Sequence, residues 1–217
     1  MHALSFAAGA AVGAAAVAAI SALLLLERRQ RLRPRWNSTH LLHDGSTCTI
    51  RTAGPADRAS IFGLVRSLAE ADGGVHQLQI SASDIEEAFD SGAFHAVLCE
   101  KDSGSIVGMA LVQEIFRTYT GPSLYLQDLI VLEGHRGLGL GTLLLQTLAA
   151  VALTRGCNQL FWESHQGNSA ANRFYSSTIA AEHTTGDEQL LTWKLVGQSK
   201  LATVAGCARA ARGGSNF

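Results

Sequence analysis

The chain has 217 residues, 47% of them hydrophobic, and a formal net charge of -1 at pH 7. That length suits one domain with extensions. The near-zero balance hides unlike segments: residues 27–35, ERRQRLRPR, carry five arginines and one glutamate, whereas residues 36–197 carry nine Lys/Arg against seventeen Asp/Glu. An acidic body argues against nucleic acid as a partner, because phosphate contacts need a basic face, and it attracts cations instead.

The N-terminus reads as a membrane anchor, residues 1–26. Residues 3–26 contain no charged side chain. A helix of that length spans roughly 36 Å, against a hydrocarbon core of about 30 Å. The arginines follow the apolar run, which sets the rest of the chain on the cytosolic side or its organelle equivalent. A signal peptide carries its positive charge before the apolar run. The competing reading is an Ala-rich helix of a soluble core. Residues 27–46 then form a basic juxtamembrane linker.

The next segments read in chain order. TCTIRTA (47–53) alternates as a strand. Residues 54–74 form a helix that starts near Pro55 and stops at Gly73 and Gly74. Residues 81–92 form a second helix, with Ser83 and Glu86 spaced as a capping box. Strands 94–101 and 105–116 make a hairpin around KDSGS, and strand 123–132 runs into HRGLGLG. Residues 140–154 are a helix stopped by Gly156; strand 158–164, short helix 168–177 and strand 188–196 follow. Residues 198–217 read as a flexible tail. The order predicts an α/β fold with a mixed sheet of the α+β kind and helices packed on it. Cys48, Cys99, Cys157 and Cys207 lie far apart in the sequence, without metal-ligand or disulfide-framework spacing.

The segment Arg136-Gly137-Leu138-Gly139-Leu140-Gly141 carries chemistry. A phosphate loop of the Walker type ends in Gly-Lys-Ser/Thr, but Thr142 follows Gly141 directly. A dinucleotide fingerprint has different glycine spacing and lies near the first strand. What remains is a glycine turn at a helix start, whose converging backbone N–H groups make an anion site. Missing Cβ atoms let a pyrophosphate approach.

These residues resemble the R/Q-x-x-G-x-G/A motif of the GNAT acetyltransferases. LYLQDLIVLEGHRGLGLG (124–141) and NQLFWESHQGNSAANRFY (158–175) are similar to the diamine (spermidine/spermine and thialysine) branch of that family. The resemblance covers roughly residues 47–197 and implies the GNAT acyl-CoA N-acyltransferase fold, preceded here by a single N-terminal transmembrane helix. It implies acetyl-CoA as cosubstrate. The cofactor would be held by Arg136, Gly137, Leu138, Gly139, Leu140, Gly141 and Thr142, with Leu129 and Val131 on the preceding strand and Asn168 opposite. Tyr175 falls where the family has the acid that protonates the leaving thiolate. Asp128, Asp72 and Tyr119 fall at acceptor positions. No metal is implied.

Two departures stand out. Gln127 occupies the place of the branch's candidate base, a glutamate, and glutamine takes no proton. Asp128 then relays the proton through water, or the amine arrives neutral. Ile179 stands where the family commonly has glycine. From Ser67 to Glu100 there is no Lys or Arg, and Glu70, Asp72, Asp84, Glu86, Glu87 and Asp90 lie within this stretch. Such a stretch favours a polycation or is a solvated helix face. The readings are an N-acetyltransferase of small cationic amines, one acting on protein lysines or N-termini, and a degraded domain serving as a membrane-complex subunit. A homodimer is a further possible assembly.

Overall fold

The computed structural model describes residues 36–185 and 190–210. The elements are β1 (Asn37–Leu41), β2 (Thr47–Thr52), α1 (Arg58–Ala71), α2 (Ala82–Ser91), β3 (His95–Lys101), β4 (Ile106–Arg117), β5 (Gly121–Val131), α3 (Leu140–Thr154), β6 (Gln159–His165), α4 (Ser169–Arg173), β7 (Glu182–Thr185), β8 (Leu190–Val196) and α5 (Gln198–Ala210). The strands form one sheet in the order β1-β2-β3-β4-β5-β6-β8-β7. Every pairing is antiparallel except β5 with β6.

The strand periodicity distributes the core over two faces. On β3, Val97 and Cys99 belong to the cluster of α3 and α5, whereas Ala96 and Leu98 belong to that of α1 and α2. Successive side chains of a strand point to opposite faces, so a strand covered on both sides is apolar throughout. On α3, every residue from Leu144 to Ala149 is buried, which explains its near-continuous apolar sequence. Arg51 joins the sheet to α1: its guanidinium makes a two-pronged ion pair with Asp57 at 2.7 and 2.8 Å and also bonds Glu100. Asp57 in turn accepts from the Gly54 N–H at 2.7 Å, fixing the entry to α1.

The sheet is interrupted at one place. Strands β5 and β6 pair in parallel only over Ser123–Tyr125 and Gln159–Phe161. Beyond that, β5 pairs with β4 alone and β6 with β8 alone. The seam opens next to a β-bulge: Val112 faces Leu126 and Leu111 faces Asp128, so Gln127 has no residue opposite it. An extra residue shifts all that follow to the other face. Leu124 and Leu126 lie in the α3 cluster, and Ile130 lies in the α1–α2 cluster. Asp128, two residues from Ile130, therefore faces the α1–α2 side.

Several expectations are corrected. Residues 37–41, read as linker, form edge strand β1. Its polar sequence NSTHL hides its pairing, but His40 is buried. The tail read as loose contains α5, whose Leu201 and Ala205 are buried in the α3 cluster. The capping box of α2 is formed by Ser81 and Asp84, not Ser83 and Glu86. Strand β7 carries no apolar alternation and was not expected. Cys48, Cys99 and Cys157 are free and buried. Among the described residues no helix is long and apolar enough to cross a membrane; the apolar run 3–26 lies outside the described residues.

Candidate functional site

The glycine loop joins β5 to α3. Gly137 and Gly139 have φ of 77° and 88°, a conformation that side chains strain, and Gly139 is the N-cap of α3. Gly141 is needed for another reason: a Cβ there would stand 3.3 Å from Cζ of Phe174. The backbone N–H groups from Gly137 to Thr142 donate to no acceptor among the described residues. They are the free donors of a helix start, reinforced by its dipole, and they suit an anion. The Arg136 side chain folds back, its Nε donating to the Val131 carbonyl at 2.9 Å. That bond ties the loop's first residue to the end of β5. Leu129, Val131 and Leu138 pack against the α3 cluster and Leu140 is buried within it.

Across the seam, Asn168 caps α4, its side chain accepting from the Ala171 N–H at 3.2 Å. The chain then continues as a π-turn over Phe174–Thr178. This wider turn seats two adjacent aromatics at once. Phe174 goes against Gly141, and Tyr175 goes into a cage with Trp162 and Trp193, at ring separations of 5.2 and 5.4 Å. The Trp193 Nε1–H donates to Ser164 Oγ at 2.7 Å, and Ser164 donates to Asn172 at 2.6 Å, tying β8, β6 and α4 together. The Trp162 Nε1–H is buried and has no acceptor among the described residues. A polar chain lying in the seam would supply the acceptor it lacks, as an amide-bearing cofactor arm can. The free loop donors and this orphaned donor fit a ligand with both phosphates and amides.

The acids meet the seam from the other face. Burial, with a smaller contribution from the charge on Asp72, pushes Asp128 up to about 6. The same two causes push the Tyr175 phenol up to about 12. Asp72, the C-cap of α1, thus acts on both groups, although they approach from opposite faces. Its carboxylate makes no hydrogen bond or ion pair among the described residues. Asp84 is occupied by Ser81 within the N-terminal turn of α2, and Asp90 pairs with Arg58 of α1 at 2.7 Å, so these two acids serve the fold. Gln127 is exposed on the bulge.

Tyr119 is a correction. It is fully exposed at the tip of the β4–β5 hairpin, beyond the Arg117–Gly121 pair. Asp128 pairs with Leu111, six residues back along β4, which puts about 20 Å between them. The structure does not bring Tyr119 to Asp128 within one chain. Ile179 is accommodated rather than disruptive: it is buried in the core, and the left-handed position falls on Ala180, with φ 53°. Sequence reading missed Phe174 as the partner of Gly141, and it missed His43, whose ring lies over Gly139. Neither contact has a local signal, since each joins segments far apart in the chain.

Comparison with known proteins finds similar chains and a similar fold. The profile of the acetyltransferase (GNAT) family matches residues 64–178. Thialysine N-epsilon-acetyltransferase of Mus musculus is 31% identical over 159 residues, covering 69% of this chain and 93% of its own. Spermidine/spermine N(1)-acetyltransferase-like protein 1 of Homo sapiens is 30% identical over 141 residues, 61% of this chain and 20% of its own. Among solved structures, yncA from Salmonella typhimurium with its cofactor acetyl-CoA superposes with TM-score 0.56 at 19% identity, over 69% of this chain and 93% of that one.

Proposed function

This chain belongs to the GNAT acetyltransferase family and is an acetyl-CoA-dependent N-acetyltransferase, and on that premise we propose that its acceptor is the primary amine of a small cationic molecule of the diamine or polyamine kind. The observation that carries the reading is the position of Asp128. It sits beside the Gln127 bulge where β5 and β6 separate, with the charge of Asp72 directed at it. Two carboxylates near one opening favour a cation with more than one positive group. The named substrates of the thialysine and spermidine/spermine relatives are amines of this kind.

The bound thioester supplies a carbonyl carbon that the amine attacks and a sulfur that departs. The chain's residues then divide the work. The N–H donors of Gly137–Thr142 hold the anionic end of the cosubstrate. Asp128 accepts the proton that the ammonium group must lose, directly or through water. An acid near 6 is a better acceptor for this than an ordinary carboxylate of about 3.9, though the transfer from an amine near 10 is still uphill. Tyr175 donates a hydrogen bond to the departing sulfur. With its phenol near 12 and a thiol near 8.5, full transfer to the thiolate is unfavourable, so charge stabilisation is its main contribution.

Residues 3–26 serve, in this proposal, as a single-pass anchor, and the arginine-rich flank holds the acetyltransferase domain on the cytosolic or equivalent side. Carbonate extraction and protease protection of the tagged chain test it; release into the soluble fraction would remove the anchor.

Gln127 favours a second reading, a domain without turnover that serves as a membrane-complex subunit. CoA release by the full chain, given acetyl-CoA and a panel of diamines, polyamines and lysine analogues, separates the two. Release dependent on one amine and lost in Asp128→Asn supports the enzyme and its acceptor class. Acetyl-CoA binding without release on any amine supports the subunit, and release only with peptide lysines overturns the small-amine assignment.

A further inference from the structure

The turn between β1 and β2 reaches the cofactor loop. Leu42 anchors it: the side chain is buried in the α3 cluster, its N–H donates to the Ser46 carbonyl at 2.8 Å, and its own carbonyl accepts from Gly45 at 3.0 Å. Asp44 is turned toward Ser46, accepting from its N–H at 3.0 Å and its hydroxyl at 2.6 Å. Lys101 bonds the same serine hydroxyl. These contacts use the polar groups of the turn and leave one side chain over the loop. The Cε1 and Nε2 atoms of His43 both lie 3.6 Å from where a Cβ of Gly139 would be. The ring is exposed and makes no hydrogen bond or ion pair among the described residues.

We propose that His43 is an additional phosphate-binding residue of the cofactor site, its imidazole donating a hydrogen bond to the diphosphate of acetyl-CoA bound at the free N–H groups of Gly137–Thr142. The inference rests on the acetyl-CoA reading of the loop. An imidazole always carries at least one N–H donor, and gains a charge when protonated. It stands beside the N-cap of α3, where an anion would sit, and no acceptor among the described residues competes for it. The placement also assigns a purpose to β1. Pairing Asn37–Leu41 with β2 lets the turn end over Gly139 rather than in solvent.

Binding titrations of the full chain test this, with acetyl-CoA, its 3′-dephospho form and S-acetyl-pantetheine, which lacks the diphosphate. His43→Ala is expected to weaken acetyl-CoA and the dephospho form equally, by about tenfold, the scale of one lost hydrogen bond to a charged group. S-acetyl-pantetheine affinity should not change, and His43→Lys should restore most of the loss. Acetyl-CoA affinity in His43→Ala within about twofold of wild type overturns the inference alone. A loss confined to acetyl-CoA assigns His43 to the 3′-phosphate and overturns the diphosphate contact. An equal loss for S-acetyl-pantetheine makes His43 a structural support of the loop, and also overturns the contact. Wild-type protein that binds none of the three overturns the reading of the loop together with the inference.

Discussion

Asp72 and Asp128 repel each other across the α1 side of the seam. Asp128 is half-buried and feels the exposed Asp72 carboxylate, and the two effects hold its carboxyl near 6 rather than near 4. The relationship joins a helix end to a strand bulge, and it has both a kinetic and a thermodynamic consequence. As proton acceptor, Asp128 works only when ionised, so kcat/KM should rise with pH through about 6. For stability the sign is opposite. A carboxyl whose folded pKa is raised favours the fold below its unfolded value of about 3.9, and that contribution is lost as pH rises through about 6. Asp128→Asn should therefore abolish most turnover yet stabilise the protein at pH 8 by about 1–2 kcal/mol after allowance for solvent screening. Thermal unfolding at pH 8 and at about pH 3 checks this, because the advantage must vanish below the unfolded value.

Tyr175→Phe should reduce kcat by about 10- to 100-fold while leaving acetyl-CoA affinity nearly unchanged. The phenylalanine keeps the packing against Trp162 and Trp193 and removes only the hydroxyl. Because burial holds the phenol up to about 12, wild-type activity should show no loss from Tyr175 ionisation below pH 10. Equal turnover in the variant would remove Tyr175 from the mechanism.

Gly139→Asp should abolish acetyl-CoA binding. The residue has φ 88°, so any side chain there is strained, and a carboxylate opposes an anion at the same N–H groups. Calorimetric titration beside a circular dichroism spectrum distinguishes lost binding from lost folding. Undiminished affinity would sink the loop assignment.

Gln127→Glu places a carboxylate on the bulge beside Asp128. It should raise amine acetylation severalfold at pH 8, because a second proton acceptor faces the same opening, and shift the acidic limb of the rate profile above 6 by charge repulsion. Steady-state rates on a diamine, measured from pH 5 to 9, provide the check. No gain would show that loss of the glutamate does not limit this enzyme.

Ala180→Gly should stabilise the fold by about 1 kcal/mol. Ala180 carries the one positive φ among the described non-glycine residues, 53°, and glycine removes the Cβ conflict, although it costs some unfolded-state entropy. A rise of a few degrees in Tm is expected. A lower Tm would mean that the buried Ile179 next to it already holds the turn without strain.

Features set by neighbours along the chain were legible in the sequence. Helix α3 spans Leu140–Thr154 as expected, because a glycine turn starts it and Arg155–Gly156 end it. The β3–β4 hairpin follows from two apolar runs joined by a glycine turn. The tight turn into α3 rests on Gly137 and Gly139, which lack a Cβ, a property no partner is needed to confer. Tertiary structure decided the rest. The Gln127 bulge exists only against β4, and it turns Asp128 toward Asp72. Tyr119 is separated from Asp128 by strand register, which no single segment encodes. The contacts of Phe174 with Gly141 and of His43 with Gly139 join residues distant in sequence, and α5 gains its place from packing against α3 rather than from its own weak pattern. Local sequence determines backbone conformation and the face a residue prefers, whereas the groups that meet at the seam are chosen by register and packing, which are properties of the whole fold.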